Sequence, residues 1–216
     1  MFSIAARIIA LLMGYFAGTF PTGYLYGKSK GIDIRNHGSG NSGTTNTLRI
    51  LGWKAGAVTF LGDSFKAIIV ILLVYFIFRG RCADYIKLLE LYAGFGAVLG
   101  HNFPFFLKFK GGKGIAATAG VIAAVCPQAV PISLVLFVGA VLITRYVSLG
   151  SILVVLGFLV QAIIFNHYGV FNINPKYVVE FDIVVACFAA MGIWRHKANI
   201  HRLLNGTENK FGQKAD

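Results

Sequence analysis

The 216-residue chain is 56% hydrophobic before its 26 glycines are counted, yet it carries a formal net charge of +12 on only 13% charged residues. That balance excludes a water-soluble domain, which needs about twice the charged share. Abundant Ile, Leu, Val and Phe exclude disorder, and three cysteines without metal-ligand spacing exclude a disulfide scaffold. A nucleic-acid partner stays open only until the basic residues are placed.

In chain order, apolar runs able to cross about 30 Å of hydrocarbon cover residues 3–26, 55–78 and 88–109. Arg7 ahead of the first run resembles a signal peptide, but no small-residue cleavage site follows, so it is read as the first span. Residues 115–144 are apolar throughout but contain Pro127 and Pro131, which predict a hairpin of two short helices. The half before Pro127 is barely long enough to cross, and a re-entrant segment stays open. Runs at 149–165 and 177–194 complete an all-α, polytopic membrane protein of about seven helices, expected to form one domain over 1–216. Cys126 and Cys187 fall in apolar helices and Cys82 in a loop, with no motif pairing them.

With the N-terminus outside, one face receives 28–54, 108–114, 144–148 and 195–216. These hold 14 of the 20 Lys and Arg residues, against five on the other face and Lys66 within a helix. The positive-inside rule makes the richer face cytoplasmic and places the C-terminus inside. Acidic residues leave the cytoplasmic face at +11 and the outer face at +1. The charge therefore belongs to a membrane surface, and no nucleic-acid partner is expected.

Two loops on that face carry the chemistry. Residues 35–46 hold Gly38, Gly40 and Gly43, which permit a nest of backbone N–H groups for an anion, with Ser39, Asn41, Thr44, Thr45 and Asn46 as neutral donors and Arg49 as a guanidinium fork. The plain alternative is a polar turn capping the next helix. The second loop, Gly111, Gly112, Lys113 and Gly114, opens the apolar helix that starts at Ile115, a combination suited to phosphate. It lacks Walker A spacing, and a simple headgroup anchor would not need the glycines.

His101, just upstream, is read as a packing or supporting group. Ser148 and Ser151 are candidates either to cap the following helix or to meet a ligand. Residues 195–208 read as an amphipathic extension of the final helix, with His196 and Asn199 on one face, Arg202 close to it and Glu208 balancing the cluster. Asp63 and Lys66, three apart within a span, are expected to pair structurally. No Ser or Cys triad, no carboxylate pair for acid–base work and no His-x4-Asp signature is evident.

These blocks together, 38–46, 101–118 and 196–208 at their mutual spacing, resemble the bacterial acyl-phosphate:glycerol-3-phosphate acyltransferases, the PlsY family. The resemblance implies a seven-helix enzyme of the bacterial inner membrane with a cytoplasmic active site. It implies transfer of a fatty acyl group from acyl phosphate to the sn-1 hydroxyl of glycerol 3-phosphate, giving lysophosphatidate for phospholipid synthesis, with no cofactor. Its important positions fall on Ser39, Arg49, Lys113, Ser151, His196 and Asn199, with the loop glycines. Ser42, Thr44 and Ala67 depart from the family's usual residues at variable or packing positions.

The chemistry fits this set, because acyl phosphate is already activated and the site has mainly to hold two phosphate-bearing molecules together. The glycine loops and Lys113 are expected to bind phosphate, with Arg49, His196 and Asn199 orienting glycerol 3-phosphate and the acyl chain lying among helices. A transporter for an organic phosphate is the alternative.

Overall fold

The computed structural model of the chain describes residues 2–212 and is helical throughout, with ten α-helices joined by loops and short 3-10 turns. These are α1 (Phe2–Gly18), α2 (Thr22–Ser29), α3 (Thr44–Leu51), α4 (Trp53–Phe78) and α5 (Ile86–Asn102). After them come α6 (Ile115–Val125), α7 (Val130–Thr144), α8 (Val147–His167), α9 (Val178–Arg195) and α10 (Lys197–Leu204). Among the described residues, five segments are long and apolar enough to cross a bilayer: Ser3–Ser29, Trp53–Phe78, Pro127–Thr144, Val147–His167 and Pro175–Arg195. α5 has 17 residues and α6 has 11. At a rise of about 1.5 Å per residue, α6 reaches only about 16 Å.

Three boundaries differ from the apolar runs. The first run is interrupted at Thr19–Pro21, because Pro21 has no N–H for the helical ladder, and a separate α2 begins at Thr22. The third run does not stay helical to residue 109. α5 stops at Asn102, since Phe103 precedes Pro104, and Lys108 and Phe109 take left-handed φ of 55° and 59°. The final helix does not simply extend: His196 leaves helical geometry with ψ of 6° and starts α10. The apolar stretch 115–144 breaks at Pro127, as foreseen, into α6, a 3-10 turn and α7.

The described residues divide into two compact units, 2–125 and 126–212. In the first, α1 and α5 meet backbone to backbone through glycine pairs spaced by four. A Cβ at Gly14 would come within 2.0 Å of Ala93 O, and one at Gly100 within 2.0 Å of Tyr15 O. Such small-residue contacts let helices associate where lipid removes the hydrophobic drive. On the far side of the unit, Ser64 Oγ of α4 donates to Ala116 O of α6 at 2.8 Å. Ile71, Val74, Leu88, Val121 and Ile122 fill the interior. α4 turns Phe65, Ile69 and Phe76 outward, an apolar exterior suited to hydrocarbon.

In the second unit α8 packs on α7 and α9. Phe158 and Phe188 meet edge to face at 5.9 Å, and Val155 closes over Gly192. α7 is apolar all round and buries little beyond Ser133, with Leu142 and Ile143 fully outward. Cys82 lies in the connection after α4, as the sequence placed it, and is buried there, while Cys187 on α9 is exposed.

Candidate active site

In the first unit, the loop before α3 is organised around Asn46. Its Oδ1 accepts the Ser39 N–H at 2.9 Å, and its Nδ2 donates to Ile34 O at 3.2 Å and His37 O at 3.0 Å. Asn46 is only 2% exposed, so its amide is committed to shaping the loop and not to an incoming anion. Asn41 Oδ1 accepts the Gly43 N–H at 2.8 Å, and the Gly40 N–H returns to His37 O at 3.1 Å. The nest foreseen from the glycines is therefore largely closed by the loop's own acceptors.

Gly38 is glycine for two reasons: its φ is +57°, and a Cβ would fall 2.5 Å from Asn46 Oδ1. The result is an exposed Ser39 held on a rigid turn. Asp33 braces the entrance, accepting from Arg35 Nη2 at 2.7 Å and Nε at 3.0 Å. That bidentate pairing holds its carboxyl down to about 2. Thr45 and Arg49 stand half-buried on α3, Arg49 in its last turn, and the Thr44 hydroxyl is buried without a partner.

The glycine–lysine loop folds back onto the end of α5. Gly111 N–H donates to Asn102 O and Gly112 N–H to His101 O, both at 3.1 Å. Tyr15 Oη donates to Phe103 O at 2.9 Å and pins the same turn to α1. A Cβ at Gly112 would lie 2.0 Å from His101 Nε2, so no other residue fits against that ring. Gly114, with φ of +83°, starts α6 and accepts the Thr118 N–H at 2.8 Å. The first-turn N–H groups of α6 have no carbonyl one helical turn back to accept them, and Lys113 stands half-buried beside them.

Beneath this loop the expected Asp63–Lys66 pair is present at 2.8 Å, but within a larger buried knot. Lys66 Nζ also contacts Phe20 O at 2.7 Å and His101 Nδ1 at 3.0 Å. Thr22 Oγ1 donates to Asp63 Oδ1 at 3.0 Å, and the neighbouring Gly23 packs on Ser42 O. α2 therefore touches the knot and the Ser39 loop together. Thr22 was not legible as a functional residue, since a lone Thr after a Pro reads as a helix start.

In the second unit, neither Ser148 nor Ser151 caps α8; Tyr146 occupies that position without a side-chain bond. Ser151 Oγ donates to Val147 O at 2.9 Å, and Ser148 Oγ is buried and unpartnered. His196 is buried, with Nδ1 2.7 Å from Gly192 O, which orients the ring. Asn199 Nδ2 donates to Glu208 Oε1, and Arg202 Nε donates to Glu208 Oε2, both at 2.8 Å. The balancing role foreseen for Glu208 is thus realised, and Asn199 is fixed by it. The turn that brings Glu208 back uses Gly206 at φ +69°.

Residues 8–206 match the family model described as glycerol-3-phosphate acyltransferase. The chain belongs to the glycerol-3-phosphate acyltransferase family. It is 40% identical over 218 residues to the glycerol-3-phosphate acyltransferase of Thermoanaerobacter sp. (strain X514), covering 100% of this chain and 99% of the relative. It is 41% identical over 219 residues to that of Clostridioides difficile (strain 630), covering 99% of each. A crystal structure of PlsY, an integral membrane glycerol 3-phosphate acyltransferase in its glycerol 3-phosphate form, superposes with a TM-score of 0.79 at 36% identity, over 95% of this chain and 96% of that one. The lysophosphatidic acid form of PlsY gives 0.76 at 35% identity, over 95% of each. In this member of the acyltransferase family, the first two sequence blocks fall inside the matched region, and the third does so up to Gly206.

Proposed function

We propose that this chain transfers a fatty acyl group from acyl phosphate to the sn-1 hydroxyl of glycerol 3-phosphate, releasing lysophosphatidate and inorganic phosphate. The observation that carries this reading is the likeness over 95% of the chain to a PlsY crystallised with glycerol 3-phosphate and with lysophosphatidic acid. Acyl phosphate is favoured as donor because its phosphate leaves readily, so no covalent enzyme intermediate is required. The hydroxyl oxygen attacks the acyl carbonyl carbon, the carbon–oxygen bond to phosphate breaks, and a phosphate oxygen takes the hydroxyl proton.

Catalysis is then positioning and charge stabilisation. Lys113 and the α6 N-terminus, opened by Gly111, Gly112 and Gly114, bind phosphate. The turn 38–46, with Gly38, Gly40, Asn41, Gly43, Thr45 and Asn46, presents Ser39 to substrate, and Arg49 adds a guanidinium. Ser151, His196 and Asn199 also serve substrate. The chain acts as a single acyltransferase domain in the bacterial inner membrane, with seven apolar helices, the N-terminus outside and the basic face cytoplasmic. The 14-to-5 split of Lys and Arg supports that orientation.

Purified protein is to be incubated with labelled glycerol 3-phosphate and, separately, palmitoyl phosphate, palmitoyl-CoA and palmitoyl acyl carrier protein. Lysophosphatidate formed only with palmitoyl phosphate is the expected result, and Lys113→Ala should abolish it while remaining membrane-inserted. Product from the thioesters alone, or vesicle uptake of glycerol 3-phosphate without product, overturns the reading.

A further inference from the structure

The buried knot under the glycine–lysine loop contains more than an ion pair needs. Lys66 Nζ has three acceptors at hydrogen-bond distance: Phe20 O at 2.7 Å, Asp63 Oδ1 at 2.8 Å and His101 Nδ1 at 3.0 Å. An ammonium has three hydrogens and no lone pair, so each contact is a donation and His101 Nδ1 is an acceptor. Asp63 Oδ1 lies farther from that nitrogen, at 3.5 Å, than the Lys66 ammonium does. The imidazole proton is thereby placed on Nε2. Nε2 is the atom that lies against Gly112, where a Cβ would stand 2.0 Å away. The same residue's carbonyl accepts the Gly112 N–H at 3.1 Å. His101 thus grips the loop at two points, and Lys66 decides which ring nitrogen faces it.

A group whose task was only to neutralise Asp63 would not need a histidine, since Lys66 already does so. Nor would a purely space-filling residue need its Nδ1 lone pair met by a buried ammonium. We propose that His101 is a positioning residue for acyl transfer: its Nε2–H edge, fixed by Lys66 and Asp63, sets the placement of Gly112 and hence of Lys113. This rests on the reading above that the loop binds a substrate phosphate.

The test compares His101→Phe, which keeps ring volume without nitrogen, with His101→Gln, whose amide nitrogen can occupy the place of Nε2. Initial rates are measured against glycerol 3-phosphate and against palmitoyl phosphate. A loop displaced by a fraction of an ångström should raise the KM of one phosphate substrate by about tenfold or more in His101→Phe, with a smaller fall in kcat, and His101→Gln should recover to within about threefold. Parent-like constants in His101→Phe, or a His101→Gln variant as impaired as His101→Phe, overturn the proposal.

If His101→Phe fails to insert, the unsubstituted protein decides. With 15N-labelled histidine in detergent micelles, the His101 signal should show the Nε2–H tautomer, and an Nδ1–H tautomer or an imidazolium overturns the proposal. Lys113→Ala is assayed alongside. Near-normal transfer in Lys113→Ala defeats the phosphate-loop reading itself, whereas lost transfer there with parent-like His101→Phe defeats only the present inference.

Discussion

Asn199 and Glu208, nine residues apart, are joined by a 2.8 Å hydrogen bond from the amide to Oε1, while Arg202 takes Oε2 at the same distance. The carboxylate is 8% exposed, so both donors depend on it. Its two oxygens accept from two fixed donors, and a glutamine at 208 would turn an NH2 toward one of them. Glu208→Gln should therefore destabilise the protein by about 1–3 kcal/mol, the cost of an unmet buried polar group. Asn199→Asp should melt lower than Asn199→Ala, because it sets one carboxylate against another. Thermal melting in detergent, followed by fluorescence-detected size exclusion, ranks these variants; an unchanged melting point for both Glu208→Gln and Asn199→Asp would refute the linkage.

The α1–α5 crossing predicts a sharp contrast among glycines. A Cβ at Gly96 would lie 2.1 Å from Leu11 O, whereas one at Gly139 on α7 meets nothing within 4 Å. Gly96→Ala must push two backbones apart and should cost about 1–3 kcal/mol or more, while Gly139→Ala should be neutral or slightly stabilising. The same melting measurement separates them.

Asn46 makes three hydrogen bonds that define the Ser39 turn, two of them donated to carbonyls. Asn46→Asp keeps the acceptor and removes both donors. Transfer activity should drop about tenfold or more through misplacement of the turn, and the Ser39 amide should exchange with deuterium faster. Hydrogen-exchange mass spectrometry of the peptide covering 37–46, beside the rate assay, checks both effects. Unchanged exchange with lost activity would instead mean that Asn46 meets substrate directly.

Asp33 titrates from about 2 in the folded protein, against an ordinary 3.8, chiefly because Arg35 donates to its carboxylate. A depressed carboxyl contributes stability that is fully present above pH 3.8 and is lost as pH falls through about 2. The stability difference between the parent and Asp33→Asn should thus be constant from pH 5 to about 8 and shrink below pH 4. Melting curves across pH 2–8 give the profile; a difference that changes near neutrality would point to another group.

How much of this was legible in the chain can be judged residue by residue. The long apolar helices, the break at Pro127, the Asp63–Lys66 pair and the tie between Asn199, Arg202 and Glu208 all follow from local spacing, because apolar length, a missing proline N–H and i,i+3 geometry act within a few residues. The structural task of Asn46 was not legible: a polar side chain in a glycine loop reads as a ligand donor, and only the fold places Ile34 and His37 carbonyls within its reach. Gly14, Gly18, Gly96 and Gly100 carried a four-residue spacing that marks close helix packing, a usable signal that hydropathy hid.

By itself, then, the chain's composition determined that it is a helical membrane protein with a large excess of positive charge, since burial in hydrocarbon and net charge are additive properties of residues. The glycine blocks likewise determined its family. The tertiary structure alone decided which donors remain for a ligand. Hydrogen bonding is pairwise and directional, so whether the Gly111 and Gly112 amides face a phosphate or the end of α5 depends on acceptors at Asn102 and His101 that only folding brings into line. It also decided that Lys66, besides its helical neighbour Asp63, answers to Phe20 and His101 from two other segments, a convergence that no local spacing encodes.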